Sequence, residues 1–194
     1  MRITKPVTGA SRFLYESTSI LLYLEGLFPE PAMQPKDVVE RGRMLDMLGH
    51  INLVGVDTNY KLRNTIPEHG MMMGLMPENQ SRVAAENAEA QEKKGVIKLQ
   101  AWAREYGCFE TGWLTPGMKI PGLVDVALVP TFRFVELVWG IDILQDEELK
   151  LLADWYARFT TLSFWADYEE RDGILPSLLE FGKASRAAWV NQQN

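Results

Sequence analysis

Apolar positions recur every three or four residues along most of the chain, the spacing of one helical face. From Ser17 to Phe28 the row is Ile20, Leu24, Leu27 and Phe28, and Pro29 stops it. A second row runs from Asp37 to about Arg63 through Val38, Val39, Leu45, Leu48, Val54 and Val56. Gly42, Gly49 and Gly55 recur along it, a spacing that predicts close packing against a neighbour. Gln80 to Tyr106 begins very polar and ends with Leu99, Trp102, Ala103 and Tyr106 on one face, before the natural terminator Gly107. Leu123 to Trp139 is apolar nearly all round and is the expected central helix. Glu147 to Phe164 and Pro176 to Val190 complete the helical rows, while Ile66 to Pro77 reads as a loop or short turn and Cys108 to Pro121 as a loop.

Only the first 15 residues have strand character. Val7-Thr8 and Arg12 to Tyr15 flank Gly9-Ala10-Ser11, which predicts a short hairpin. The prolines from Pro29 to Pro35 make a connector that cannot be helical throughout. The expected organisation is residues 1–30, a linker at 31–36, and an all-helical part at 37–194. A hairpin and one helix do not stand alone, so they are expected to dock on the helical part or on a partner subunit.

Composition narrows the chemistry. The chain of 194 residues is 46% hydrophobic and 24% charged, which suits a domain with a sizeable core. A net charge of −6 disfavours binding to a phosphate backbone, so no nucleic-acid partner is expected. A single cysteine, Cys108, excludes an internal disulfide and a thiolate cluster for zinc. His50 and His69 are too few for most metal or triad chemistry. No signal-like segment opens the sequence, and the most apolar window contains Asp125, Arg133, Glu136 and Asp142. A cytoplasmic protein with no membrane span is therefore expected.

One segment carries recognisable chemistry. Phe13-Leu14-Tyr15-Glu16-Ser17 runs from a strand into a helix start. Ser17 can cap that helix, whose free N–H groups and positive dipole end also suit an anion. Glu16 beside it suits an ammonium group. Together they fit the zwitterion of an α-amino acid.

Leu14-Tyr15-Glu16-Ser17-x-x-Ile20-x-x-Tyr23-Leu24 resembles the strand-to-helix element of the glutathione transferase family. Pro121-Gly122-Leu123-Val124-Asp125 resembles that family's buried helix with its capping box. The fold implied is mainly α: a glutathione-transferase-like C-terminal helical bundle preceded by a remnant, hairpin plus one helix, of a thioredoxin-like domain. The resemblance implies glutathione as cofactor or co-substrate, with its amine on Glu16 and its carboxylate on Ser17. By the same resemblance Pro6 takes the place of the family's cis-proline, and Lys5 pairs with the cysteinyl backbone. Lys5 departs from the family's aliphatic residue, and Gly122 from its hydroxyl residue, so half of the reciprocal cap is missing.

The family's thiolate-stabilising Tyr, Ser or Cys lies in a part with no counterpart ahead of Pro6. A free thiol has a pKa near about 8.5, so a substitute donor is needed. Asn52 and Tyr60 are the candidates, with Asp57, Trp113 and Trp165 lining the second-substrate pocket. The implied reaction adds glutathione thiolate to an apolar electrophile, either conjugating it or allowing cis–trans isomerisation of an olefin. The short N-terminal part suggests specialisation of the kind found in fungal secondary metabolism. A homodimer is implied, and a non-catalytic assembly module of the same family is the alternative.

Overall fold

The computed structural model describes residues 1–4, 11–172 and 176–193. A two-stranded antiparallel hairpin, β1 (Arg2–Thr4) and β2 (Ser11–Phe13), pairs Arg2 with Phe13, Ile3 with Arg12 and Thr4 with Ser11. The first strand thus lies earlier than expected, at 2–4; Val7 and Thr8 fall outside the described residues. Helices follow: α1 (Ser17–Leu27), α2 (Val38–Thr65), α3 (Pro67–Met72), α4 (Arg82–Glu105), α5 (Cys108–Thr111), α6 (Leu123–Phe134), α7 (Lys150–Thr160), α8 (Ser163–Asp172) and α9 (Pro176–Gln193). The molecule is mainly α with one small hairpin.

The long helices start and stop where side chains satisfy their ends. Asp37 caps α2, its Oδ1 accepting from the N–H groups of Val39 and Glu40. Ser81 caps α4 by accepting from Ala84 N–H. Gly107 follows α4 at φ +71°, a left-handed conformation that glycine adopts without steric penalty. The expected helix from Glu147 to Phe164 is divided: a 3-10 turn at Glu147–Leu149 leads into α7, and a turn at Thr161 and Leu162 separates α7 from α8. Between Ile66 and Pro77, expected as a loop or short turn, Pro67 opens the short helix α3, and the expected loop from Cys108 begins instead with α5.

The core forms between α2, α4 and α6. Met44, Met47, Leu48, Ile51 and Val54 of α2 meet Val96, Leu99 and Ala103 of α4 and Leu128, Val129 and Phe132 of α6. Burying each such side chain contributes roughly 1.5–3 kcal/mol. Gly95 permits close approach of α4 to α2, because a Cβ there would lie 2.8 Å from Val54 Cγ2. By contrast, Gly42, Gly49 and Gly55 meet nothing within 4 Å among the described residues, so the expected close packing at them is not made there. Gly42 and Gly49 lie along a face of α2 that also exposes Val38, Leu45, Leu53 and Val56, whereas Gly55 stands on another side of the helix.

Polar groups between α2 and α4 are paired. Lys61 and Glu92 form a buried salt bridge, and Thr58 Oγ1 donates to Glu92 Oε1 at 2.7 Å. Lys93 binds Asp146 and Glu148, at 2.8 and 3.0 Å, rather than the helical neighbour Glu89 that its spacing suggests.

The central helix α6 passes into a π-helical turn at Val135–Trp139, ended by Gly140 at φ +65°. A second apolar cluster gathers there, with Leu62 of α2 and Ile66 just beyond its end against Val135, Val138 and Trp139. Gly182 of α9 crosses so close that a Cβ would stand 2.1 Å from the carbonyl oxygen of Val138.

Of the N-terminal elements, α1 docks on the bundle. Leu21 and Leu22 pack against the core. Glu25 is buried on α1 and accepts from Met33 N–H at 2.9 Å; the Met33 carbonyl in turn accepts from Leu123 N–H at 2.8 Å. This relay ties α1 and the linker to the start of α6.

Candidate functional site

The strand-to-helix junction is built as the sequence suggests. Leu14 N–H donates to the Met1 carbonyl at 3.0 Å and holds the end of β2. Glu16 follows with φ −84° and ψ 137°, an extended residue whose carbonyl accepts the first helical bond, from Ile20 N–H at 3.0 Å. Glu16 is therefore the N-cap residue, and Ser17 is the first residue of α1. The expected side-chain cap by Ser17 is not made, because Ser17 sits one position too far into the helix. Both residues are exposed, and among the described residues neither side chain has a hydrogen-bond partner. Lys5 and Pro6 lie outside the described residues.

Of the candidates on α2, Asn52 stands against this junction. Its Nδ2 donates to Thr18 Oγ1 at 3.3 Å, one residue beyond Ser17. Tyr60 lies two turns further on, about 12 Å along the axis at 1.5 Å per residue. It is exposed, and the Arg63 guanidinium lies 4.5 Å from its ring centroid. Asp57 is half-buried, and no hydrogen bond or ion pair engages it among the described residues.

Trp113 and Trp165 come together elsewhere. Both pack on the buried ring of Phe159, at 6.5 and 5.5 Å between centroids. Arg158 lies over Trp113 at 5.7 Å and donates to the Gly112 carbonyl. No hydrogen bond or ring contact joins either tryptophan to Asn52, Asp57 or Tyr60 among the described residues. The structure thus groups Glu16, Ser17, Thr18 and Asn52 in one place and the two tryptophans in another. Tyr15, which alternation places toward packing, is instead 83% exposed, its ring stacked on Phe13.

Two other titratable groups are set by burial. The Cys108 thiol is buried and donates to the Leu114 carbonyl at 3.3 Å. Burial first, and the nearby Asp125 and Glu40 carboxylates second, push its pKa up to about 12, which leaves it inert. His69 is buried edge-on to Trp139, and burial lowers its pKa. No cluster of three His, Cys, Asp or Glu side chains among the described residues can hold a metal ion. No helix among them is long and apolar enough to cross a membrane.

Asp125 is the most elaborated polar centre. Its Oδ1 accepts from Leu114 N–H and from the Trp155 indole, both at 2.7 Å. Its Oδ2 accepts from Gly122 N–H at 2.9 Å, Thr115 N–H at 3.1 Å and Thr115 Oγ1 at 2.8 Å. The carboxylate is fully buried, and five donors encircle it. This centre is structural, and a hydroxyl cap on α6 comes from outside the N-cap residue. Thr115 Oγ1 accepts from Val124 N–H at 3.0 Å, the bond an N-cap hydroxyl would make.

The sequence gives no sign of Thr115's part, because it reaches α6 from a loop seven residues before Gly122. Glu25 leaves a faint one: a carboxylate one turn from Leu21 and Leu22 on an otherwise apolar helix needs a partner. Compared with known proteins, the chain matches no family model and no curated protein.

Proposed function

We propose that the chain is a glutathione-binding enzyme of the transferase type, in which Glu16 and Ser17 grip the γ-glutamyl zwitterion. The observation that carries this reading is the open junction at α1. An extended carboxylate-bearing residue and a hydroxyl-bearing first helical residue stand side by side, exposed, at the amide end of an eleven-residue helix. A ligand carboxylate there gains hydrogen bonds from the helix amides and Ser17, together with the dipole, while its ammonium meets Glu16. Asn52 borders the same spot and is the polar group best placed to hydrogen-bond to the bound tripeptide.

The chemistry of the reading is addition of the glutathione sulfur to the β-carbon of a conjugated olefin. The olefin π bond breaks as the C–S bond forms. Protonation of the resulting carbanion gives the conjugate. Rotation about the new single bond, followed by expulsion of the thiolate, gives the isomerised olefin and returns glutathione. Secondary metabolism, with an apolar electrophile as substrate and the cytoplasm as location, is the setting of this reading.

A second reading has its own support. Exposed apolar residues run along α2 from Val38 through Leu45 to Val56, interrupted by Gly42 and Gly49, which meet nothing among the described residues. Such a face suits close approach of a second helix, and with it a homodimer or an assembly module without catalysis. Retention on immobilised glutathione separates the readings. An enzyme is retained, eluted by free glutathione, and turns over a cis-enone in its presence; a pure assembly module passes through.

A further inference from the structure

Met71, Met72, Met73 and Met76 stand together at the end of α3. Met71 and Met72 are its last residues, Met73 is its C-cap, and Met76 follows the turn. That turn is closed by two bonds. Leu75 N–H donates to the Gly70 carbonyl at 2.8 Å and Gly74 N–H to the Met71 carbonyl at 3.1 Å, with Gly74 at φ +75°. The backbone therefore reverses within residues 71–76 and gathers the methionines into one short stretch. It lies past the end of α2, about 20 Å along that helix from Asn52 and the Glu16–Ser17 junction.

The fold makes no use of these side chains. They are 47%, 60%, 51% and 50% exposed, and none belongs to either apolar cluster. Burial at this end of the molecule falls to their neighbours His69 and Gly70, and Gly74 supplies the helix stop. What the turn shows to solvent is a group of thioethers. A thioether is neutral, soft and polarizable, and three rotatable bonds let several sulfurs swing onto one ion. Such donors select a soft monovalent metal; they lack the negative charge that zinc draws from thiolates and magnesium from carboxylates. His69 adds no imidazole, because both its ring nitrogens are buried and its ring stands edge-on to Trp139.

We propose that the Met71–Met76 turn is a binding site for Cu(I), held by thioether sulfurs of the four methionines. Ag(I), which has the same coordination chemistry and does not oxidise in air, is the first probe. The chain is labelled with ¹³C at the methionine methyls, the signals are assigned with single Met→Leu variants, and silver nitrate is added in chloride-free buffer. Glutathione is left out because its thiol competes for the ion, so the outcome does not depend on the reading of the α1 junction. Signals from at least three of the four methionines are expected to move together and to saturate at one Ag(I) per site. They do so at concentrations at least tenfold below those that move Met1, an exposed lone thioether. Cu(I), kept reduced with ascorbate, moves the same signals, and Zn(II) moves none. Met73→Leu with Met76→Leu, exposed positions where leucine keeps the fold, weakens Ag(I) at least tenfold. Cluster signals that respond no earlier than Met1, that ignore Cu(I) or that follow Zn(II), or unchanged Ag(I) affinity in the folded double variant, overturn the proposal.

Discussion

Thr115 fills the space that a side chain on Gly122 would occupy. A Cβ on Gly122 would lie 2.6 Å from Thr115 Oγ1 and 2.6 Å from the Met33 carbonyl oxygen. The loop threonine and the glycine are therefore one device. The hydroxyl that normally belongs to the N-cap residue is delivered from another segment, and the N-cap residue gives up its side chain to make room. The same junction binds the linker through Leu123 N–H, so it fixes the start of α6 against both neighbours.

Two substitutions test that device. Thr115→Val keeps the shape, strands Val124 N–H and removes one donor to Asp125; the expected loss is about 2 kcal/mol. Gly122→Ala meets backbone oxygen as well as a side chain, and is expected to cost at least as much, about 2–3 kcal/mol. Urea denaturation followed by circular dichroism measures both. A loss below about 0.5 kcal/mol for Thr115→Val would show that its hydroxyl does not complete the cap.

The Lys61–Glu92 pair crosses from α2 to α4 inside the bundle. Lys61→Met leaves Glu92 buried with only Thr58 beside it, and a loss of about 3–5 kcal/mol is expected. Adding Glu92→Leu removes the stranded charge, so the double variant recovers most of that loss. Chemical denaturation of the three variants gives the coupling directly.

His69 makes stability depend on pH. Its folded pKa lies below the unfolded value of about 6.5, so the unfolded chain takes up the proton first. Full stability is present above that value and declines as pH falls through it toward the lower folded pKa. His69→Phe removes this contribution. Melting temperatures between pH 7 and 5.5 should fall more steeply for the parent chain than for the variant, and parallel curves would show that folding leaves the His69 pKa unchanged.

Cys108 should be silent in the folded protein. With its thiol buried and its pKa near 12, iodoacetamide at pH 8 is expected to label it only after denaturation. Mass spectrometry before and after addition of guanidinium reads the difference. Rapid labelling of the native protein would place the thiol at the surface.

Helical periodicity located α1, α2, α4 and α6 to within a few residues because their burial is one-sided and their ends carry ordinary signals: Pro29, Asp37, Gly107 and Gly122. The break between α7 and α8 was hidden because Leu162 and Trp165 continue the apolar row through the turn. The first strand was misplaced because Val7 and Thr8 have stronger β propensity than Arg2 and Thr4, while pairing is decided by register with Ser11 to Phe13. The Glu16–Ser17 junction was legible as local chemistry, since adjacent residues stay adjacent in any fold. The Thr115–Asp125–Trp155 network joins segments far apart in sequence, and no spacing rule reports on it.

The central claim is the grip of Glu16 and Ser17 on glutathione, and calorimetric titration of the chain with the tripeptide tests it most directly. Because Ser17 makes no capping bond, Ser17→Ala is expected to weaken glutathione at least tenfold while moving the melting temperature by no more than about 2 °C. Glu16→Gln should likewise weaken binding. No heat of binding at millimolar glutathione, or equal affinity in all three proteins, would contradict the account.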